Sequence, residues 1–378
     1  MRSTPHDAQP LPRLLGSHLS VAGGMHLAVH EAQRLGLTAL QVFTKNQQQW
    51  AAPPLAETAV DQWRSSLAQV GWAGPGPCRL VSHASYLINL ASPDDALWRK
   101  SIDLMTVEIE RCDTLGIGLL VHHPGSHMGT GVNAGIDRIA AAYRELFKRT
   151  AGARVISCLE ATVGSGNHLG GKFEELRDLR QAIIAATGKG ERVAFCIDTC
   201  HIHAAGYDLS TEASARAALG QLAQVCGLEH VRCLHLNDSK APAGSRRDLH
   251  EHIGRGTIGP AGFGPFLREP AFAGAPMIME TPKGPPELDK ARTSLPPEKW
   301  PVAWDQINAD ALRAIAAGET PTLVQTAATP TKPAKPAKPT KPAKAAKAAK
   351  PAKAQPGKTM ARRSGASTTA GKTPRTPA

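Results

Sequence analysis

A short apolar run that ends in polar side chains able to bind metals or substrates recurs eight times along this 378-residue chain. Each run indicates a β-strand, because it is rich in β-branched and other apolar residues and is bounded by turn-forming residues. The predicted strands span residues 15–18, 40–46, 79–83, 119–123, 155–160, 193–197, 231–238 and 276–280. This repetition constrains the fold more than any other feature of the sequence.

Regular spacing between the strands predicts how they assemble. The last polar residues of six of them lie 37 to 45 residues apart, which leaves room for one strand, one helix and two loops per unit. These residues are His83, His123, Glu160, Asp198, His235 and Glu280. Strands and helices that alternate at this spacing form a parallel sheet, and eight units close it into a barrel. The predicted fold is therefore α/β, a (β/α)₈ TIM barrel.

The alternation of side chains along a strand gives an independent indication of a barrel. Residues two apart share a face, and in a barrel one face is the packed interior. The residues two positions before the six polar ones are all modest apolar side chains: Val81, Val121, Cys158, Cys196, Cys233 and Ile278. We therefore expect the polar side chains to project from the top of a filled interior, at the C-terminal rim where TIM-barrel enzymes place their chemistry.

The basic character of the chain belongs to its C-terminus. Of the 44 Lys and Arg residues, 13 lie in residues 320–378, which contain no carboxylate; residues 1–319 hold 31 basic and 32 acidic residues. Lys recurs there among Pro and Ala, a composition that cannot bury a core. We predict a flexible N-terminus at 1–13, a barrel domain at 14–318 and a disordered basic tail at 319–378.

Cysteine usage and hydropathy indicate the compartment. The seven cysteines are odd in number, lack a C-x-x-C pair and lie mostly in apolar runs, which favours reduced thiols. No run approaches 18 apolar residues, and residues 1–13 have no apolar signal-peptide core. We expect a monomeric cytoplasmic protein without a membrane partner.

Some of the polar residues have more than one interpretation. Asp198 and His201 form a D-x-x-H pattern after one strand, but a strand-end Asp also commonly caps the next helix. His18 is a candidate metal ligand, but a role in orienting a metal ligand through a hydrogen bond, or in contacting the substrate, is an equal alternative. Asp248 and His250 form D-x-H in a polar loop, where extended backbone puts both side chains on one side.

Nine residues of metal-ligand type are expected at the same rim. They are His83, His123, Glu160, Asp198, His201, His235, Asp248, His250 and Glu280. A tetrahedral zinc ion that keeps a position open for water takes three protein ligands, so nine would serve two or three ions. Imidazole and carboxylate without thiolate suit Zn²⁺ or Mn²⁺, and clustered ions of this kind meet the demands of phosphodiester hydrolysis.

The motifs that carry these residues resemble the endonuclease IV family of zinc-dependent apurinic/apyrimidinic (AP) endonucleases. The resemblance covers about 265 residues, from position 16 to METP at 279, with all its motifs in the family's order. They are GSHLSVAGG, FTKNQ, SYLINL, HPGSH, FCIDTCH, AAGYDL, HLND, the D-x-H loop and METP. The resemblance implies a DNA-repair enzyme that hydrolyses the phosphodiester 5′ to an abasic site, leaving a 3′-hydroxyl and a 5′-deoxyribose phosphate, and that also removes blocking groups from 3′ ends.

The resemblance further implies three zinc ions, with Mn²⁺ possible at one site. The first would be held by His83, His123 and Glu160, the second by Glu160, Asp198, His235 and Glu280, and the third by His201, Asp248 and His250. We predict that the carboxylates Glu160, Asp198 and Glu280 are catalytic. The implied partner is double-stranded DNA with abasic sites; we further predict that the basic tail binds DNA non-specifically, which would associate the protein with the nucleoid.

Two positions depart from the family pattern. Gln48 stands where the family usually has an arginine that enters the DNA, and Arg255 stands where it usually has an acidic residue. Tyr86 matches the family's DNA-penetrating tyrosine, so Tyr86 and Gln48 are the predicted DNA-binding residues.

Two other functions remain as alternatives. A metal-dependent sugar isomerase or epimerase would gather similar residues at the rim of the same barrel, although the third ligand set argues against it. A non-catalytic DNA-binding protein would keep the tail but not need an intact ligand set.

Overall fold

Eight parallel strands close into a barrel, which confirms the predicted fold. The computed structural model describes residues 13–283 and 303–323. The barrel strands are β1 (Leu14–His18), β2 (Ala39–Val42), β3 (Leu80–His83), β4 (Leu119–His122), β5 (Ile156–Glu160), β6 (Val193–Asp198), β7 (Val231–His235) and β10 (Pro276–Met279). They pair in the order β1-β10-β7-β6-β5-β4-β3-β2, so the first and last strands are neighbours.

Helices connect the strands and cover the outside of the barrel. They are α1 (Met25–Arg34), α2 (Glu57–Gln69), α3 (Asp95–Leu115), α4 (Val132–Arg149), α5 (Phe173–Thr187), α6 (Thr199–Ala205), α7 (Glu212–Cys226), α8 (Gly259–Arg268) and α9 (Trp304–Ala316). The longest, α3, begins where the Asp94 side chain accepts a hydrogen bond from Leu97 N at 2.7 Å and ends at Gly116, whose left-handed backbone suits glycine. Local capping therefore sets its limits.

Two apolar cores result from the alternation along the strands. The outward-facing residues pack with the helices in the larger core. The smaller core fills the barrel interior and contains all six apolar residues predicted for it: Val81, Val121, Cys158, Cys196, Cys233 and Ile278. Gly16 allows β1 to lie close to β2, because a Cβ atom there would come within 2.6 Å of the Ala39 backbone.

Two predicted strands are shorter than expected. Residues after Val42 and His235 leave the barrel and enter rim loops, although the neighbouring strands β3 and β10 each continue one residue further. After β7, the short strands β8 (Asp238–Ser239) and β9 (His250–Glu251) pair antiparallel. This hairpin carries part of the rim.

Other predictions concern features around the barrel. All seven cysteines are free thiols. In the described residues, no helix has both the length and the apolar character needed to span a bilayer. The predicted N-terminal segment, except Arg13, and most of the tail lie outside the described residues. The domain boundaries at 14 and 318 therefore stay predictions.

Candidate metal centre

The nine predicted ligands come together at one end of the barrel. Six of them end, or directly follow, the strands β3, β4, β5, β6, β7 and β10. His201 lies in the first turn of α6, Asp248 lies in the loop that leads into β9, and His250 is the first residue of β9. Among the described residues, ligand-type atoms form five groups in which all members lie within 4.8 Å of one another, and two of these groups contain cysteines. The three groups without cysteine have the same membership as the three predicted ligand sets.

Glu160 joins two of the groups through its two oxygens. Its Oε2 lies 3.0 Å from His83 Nε2 and 3.2 Å from His123 Nε2. Its Oε1 lies 3.0 Å from Nδ1 of His235, which belongs to the second group. The carboxylate is fully buried. A single carboxylate that faces two groups of donors has the geometry of a bridge between two cations.

In the second group, the carboxylates of Glu280 and Asp198 lie near His235. Nδ1 of His235 lies 3.2 Å from Glu280 Oε2 and 3.8 Å from Asp198 Oδ2. Asp198 also accepts a hydrogen bond from His201 N through Oδ1, at 2.9 Å, and so caps α6. Asp198 is therefore a helix cap through Oδ1, and its Oδ2 faces the second group, so the two interpretations of Asp198 do not exclude each other.

The third group is more accessible. Nε2 of His201 and Nε2 of His250 each lie 3.2 Å from Asp248 Oδ1. The Asp248 side chain is 49% exposed. His250 Nε2 also lies 3.6 Å from Asp198 Oδ2, so the second and third groups are adjacent.

Backbone carbonyls orient three of the imidazoles. His83 Nδ1 donates to Ala84 O at 2.8 Å, His201 Nδ1 to Ala161 O at 2.9 Å, and His250 Nδ1 to Glu280 O at 3.1 Å. A carbonyl oxygen only accepts, so each Nδ1 carries a proton and each Nε2 faces its group. This arrangement of a neutral imidazole is the one that metal-binding histidines use.

The electrostatics of the groups favour bound cations. Burial disfavours charge on all of these side chains. Nevertheless, the nearby imidazoles hold the pKa values of Glu160 and Glu280 well below the usual value of a glutamate. In turn, the carboxylates raise the pKa values of His201 and His235 well above the usual value of a histidine. The carboxylates thus stay ionised and require positive charge, which either imidazolium protons or divalent ions can supply. The donor set fits Zn²⁺, which binds imidazole nitrogen and carboxylate oxygen.

Two amides that hold the ligands in place were not identified from the sequence. Gln41 Nε2 donates to Glu280 Oε1 at 2.6 Å and to His18 Nδ1 at 2.8 Å. Asn237 Nδ2 donates to Asp198 Oδ2 at 2.7 Å. A signal for Gln41 was present, because it lies two residues after Ala39, which belongs to the interior core.

His18 contacts Gln41, which in turn contacts a predicted metal ligand. It accepts from Gln41 through Nδ1, and burial lowers its pKa, so the ring is neutral. It belongs to none of the three groups of ligand-type atoms. His18 thus orients Gln41, and because it also lines the cavity beside the groups, a contact to substrate stays an alternative.

A cavity of about 850 Å³ opens beside the groups. Asp248, His250 and Glu280 line one part of it. Its other lining residues include three cations and two aromatic rings, namely Lys45, Lys240, Lys283, Phe43 and Tyr86. A cavity lined by carboxylates, imidazoles and ammonium groups suits a phosphate-containing substrate once cations occupy the donor groups.

The two predicted DNA-binding residues lie on neighbouring loops. The ring of Tyr86 lies 5.1 Å from that of His83 and 5.8 Å from that of His123, yet 59% of Tyr86 is exposed. Gln48 is exposed on the loop after β2, and its backbone N donates to Asn46 Oδ1. Gln48 does not line the cavity described above, whereas Gln47 does. Arg255 lies over the ring of Trp304, 4.8 Å from its centre.

Comparison with known proteins places these features in a family. The model of the xylose isomerase-like TIM barrel family matches residues 29–299. A probable endonuclease 4 from Chloroflexus aurantiacus is 42% identical over 274 residues, which cover 72% of this chain and 93% of that protein. One from Geobacter sulfurreducens is also 42% identical, over 71% of this chain and 88% of the relative.

Solved structures agree with this similarity. Endonuclease IV from Thermus thermophilus matches with a TM-score of 0.65 and 34% identity, over 81% of this chain and all of that one. A D-psicose 3-epimerase from Clostridium cellulolyticum matches with a TM-score of 0.54 at 16% identity, over 80% of this chain and 98% of that one. The second similarity is one of fold alone.

Proposed function

The chain belongs to the endonuclease IV family and is an AP endonuclease of DNA repair, and we propose that it cuts the phosphodiester 5′ to an abasic site with three bound zinc ions. The products would be a 3′-hydroxyl and a 5′-deoxyribose phosphate. The same chemistry would remove blocking groups from 3′ ends, since those are also phosphate esters of a terminal sugar.

The position of Glu160 is the observation that carries the proposal. Its two oxygens face different donor groups at 3.0 Å from His83 and from His235, so this carboxylate would supply a ligand to each of two cations. The group of His201, Asp248 and His250 would hold a third ion next to them. Zinc ions in these positions, with Mn²⁺ possible at one, would supply Lewis acidity to the phosphodiester and activate water.

The side chains around the groups would bind and orient the substrate. Glu280 and Asp248 line the cavity, so their carboxylates meet an incoming phosphate only if cations stand between them. Lys45 and Lys240 would neutralise flanking phosphates, whereas Lys283 is already paired with Asp305. Glu160, Asp198 and Glu280 are the proposed catalytic carboxylates. Tyr86 would contact the DNA beside the missing base, where its exposed ring can stack.

A cleavage assay with one matched variant pair tests the proposal. Wild-type protein should convert a 5′-labelled abasic duplex to a product with a 3′-hydroxyl, and chelation should stop the reaction until zinc is restored. Glu160→Gln keeps the size of the side chain but loses its charge, so we expect a loss of at least about 10³-fold in kcat together with bound zinc. Glu110→Gln, on the exposed side of α3, is the control. Full activity of Glu160→Gln, or activity without bound metal, would contradict the proposal.

The alternative functions have no specific observation in their favour. The epimerase similarity concerns the fold, and a non-catalytic DNA-binding protein does not agree with the relatives named as endonucleases. The basic tail lies outside the described residues, and its non-specific binding to DNA remains a proposal, as do the monomeric state and the cytoplasmic, nucleoid-associated location.

A further inference from the structure

Two rim loops carry the proposed DNA contacts, and neither is part of a barrel strand. The first follows β2 and contains Thr44, Gln47 and Gln48. The second follows β3 and contains Ser85 and Tyr86. Loops of this kind are mobile unless other groups hold them. The contacts that fix the distance between these loops therefore affect DNA binding as well as the fold.

The carboxylate of Glu108 connects the two loops. Glu108 lies on α3 and is only 1% exposed. Its Oε1 accepts a hydrogen bond from Ser85 N at 3.1 Å, and its Oε2 accepts one from the hydroxyl of Thr44 at 3.2 Å. The described part of the chain forms no ion pair with it, although the charges of Lys45 and Arg111 act on it from farther away. Burial raises the pKa of Glu108, and its hydrogen bonds to the two loops oppose that rise.

Neighbouring contacts reinforce the connection. Arg111, three residues further along α3, donates from Nε to Thr44 O at 3.1 Å and from Nη1 to Pro53 O at 2.7 Å. The hydroxyl of Ser85 donates to Gln47 O at 2.6 Å and so links the loops directly. The two loops and one face of α3 thus form one hydrogen-bonded unit.

We propose that Glu108 is a positioning residue that sets the distance between the loop of Gln48 and the loop of Tyr86 before DNA binds. The inference rests on the proposed function. Loops that are already ordered lose less conformational freedom on binding, so the contribution of Glu108 appears in DNA affinity and in the preference for abasic over intact duplex. Glu108 does not touch substrate, and chemistry at the metal centre does not require it.

Three variants on α3 separate positioning from general stability. In Glu108→Gln the amide oxygen still accepts from Ser85 N and the amide NH₂ donates to Thr44 Oγ1, so both links persist and activity is retained. Glu108→Ala removes both links, and KM for the abasic duplex rises about tenfold while kcat changes little. Glu110→Ala, an exposed position on the same helix, is the control and keeps wild-type values. Bound zinc is measured in every variant.

Thr44→Val removes only the hydrogen bond to Glu108 and changes the side-chain volume little. This variant replaces Glu108→Ala if that protein fails to fold, and we expect its KM to rise by less than about tenfold. An unchanged KM in the folded variants overturns the proposal, and so does a fall in kcat that accompanies loss of zinc.

Hydrogen exchange of residues 44–49 and 85–89 tests the connection without any substrate. Faster exchange in both loops of Glu108→Ala supports it, and faster exchange in only one loop or in neither overturns it. If wild-type protein fails to cut abasic DNA, the proposed function fails, but this readout still decides whether Glu108 couples the loops.

Discussion

The side-chain oxygen of Gln41 lies 2.9 Å from Nε2 of His235. Because an amide oxygen only accepts, Nε2 of the imidazole carries the proton, and Nδ1 is left to face the carboxylates of Glu160 and Glu280. The amide nitrogen of Gln41 donates to Glu280 at the same time. One amide thus fixes the tautomer of an imidazole and the orientation of a carboxylate in the same donor group.

Replacement of Gln41 should therefore weaken metal binding without removing a ligand. In Gln41→Leu we expect zinc affinity of the second group to fall by about 10- to 100-fold, because His235 and Glu280 lose their common partner. Competition with a chromogenic chelator measures this affinity. Gln33→Leu, at an exposed position of α1, is the control. Equal zinc affinity in wild type and Gln41→Leu would show that the amide has no part in metal binding.

His122 should make the fold sensitive to acid. Burial lowers its pKa to about 4, and its ring bonds to Tyr143 OH at 2.7 Å and to His123 O at 2.9 Å. The unfolded imidazole titrates near 6.5, so between pH 6.5 and 4 the unfolded chain binds more protons and stability falls as pH falls. From pH 7 to pH 5 the free energy of unfolding of wild type should drop by about 2 kcal/mol more than that of His122→Gln.

Urea denaturation at both pH values measures this difference. The comparison with His122→Gln cancels the contribution of the other titrating groups, which both proteins share. A parallel decline in wild type and variant would show that His122 is not kept neutral by the fold.

Gln48 allows a test of the departure from the family's arginine. Its side chain is exposed on the loop that Glu108 helps to hold, so Gln48→Arg would place a cation toward DNA without disturbing the core. We expect tighter binding to the abasic duplex and a salt dependence steeper by about 0.9, the value for one additional phosphate contact. Gln69→Arg is the control, because Gln69 ends α2 at the opposite end of the barrel. Equal salt slopes for the two variants would contradict a position of Gln48 at the DNA.

The sequence predicted the part of this structure that depends on local periodicity. Spacing and alternation identified the barrel and its interior residues, such as Val81 and Cys196, because a strand end and a strand face are local properties. The contact of Gln41 with Glu280 joins residues 239 apart in the chain and exists only because β1 closes the barrel between β2 and β10. Which atom of His235 faces the carboxylates likewise depends on partners that periodicity does not specify.

The basic tail should affect the approach to DNA and not the chemistry. Residues 326–378 contain all 13 basic residues of the tail and no carboxylate. Each phosphate that the tail neutralises adds about 0.9 to the salt dependence of binding, so deletion of 326–378 should flatten that dependence and weaken binding at low salt. Turnover under saturating DNA should stay unchanged, because the nine candidate ligands all lie before residue 281. A full-length control with Gln in place of the 13 Lys and Arg residues separates charge from length and should behave like the deletion. An unchanged salt slope in both proteins would exclude a role for the tail in DNA binding.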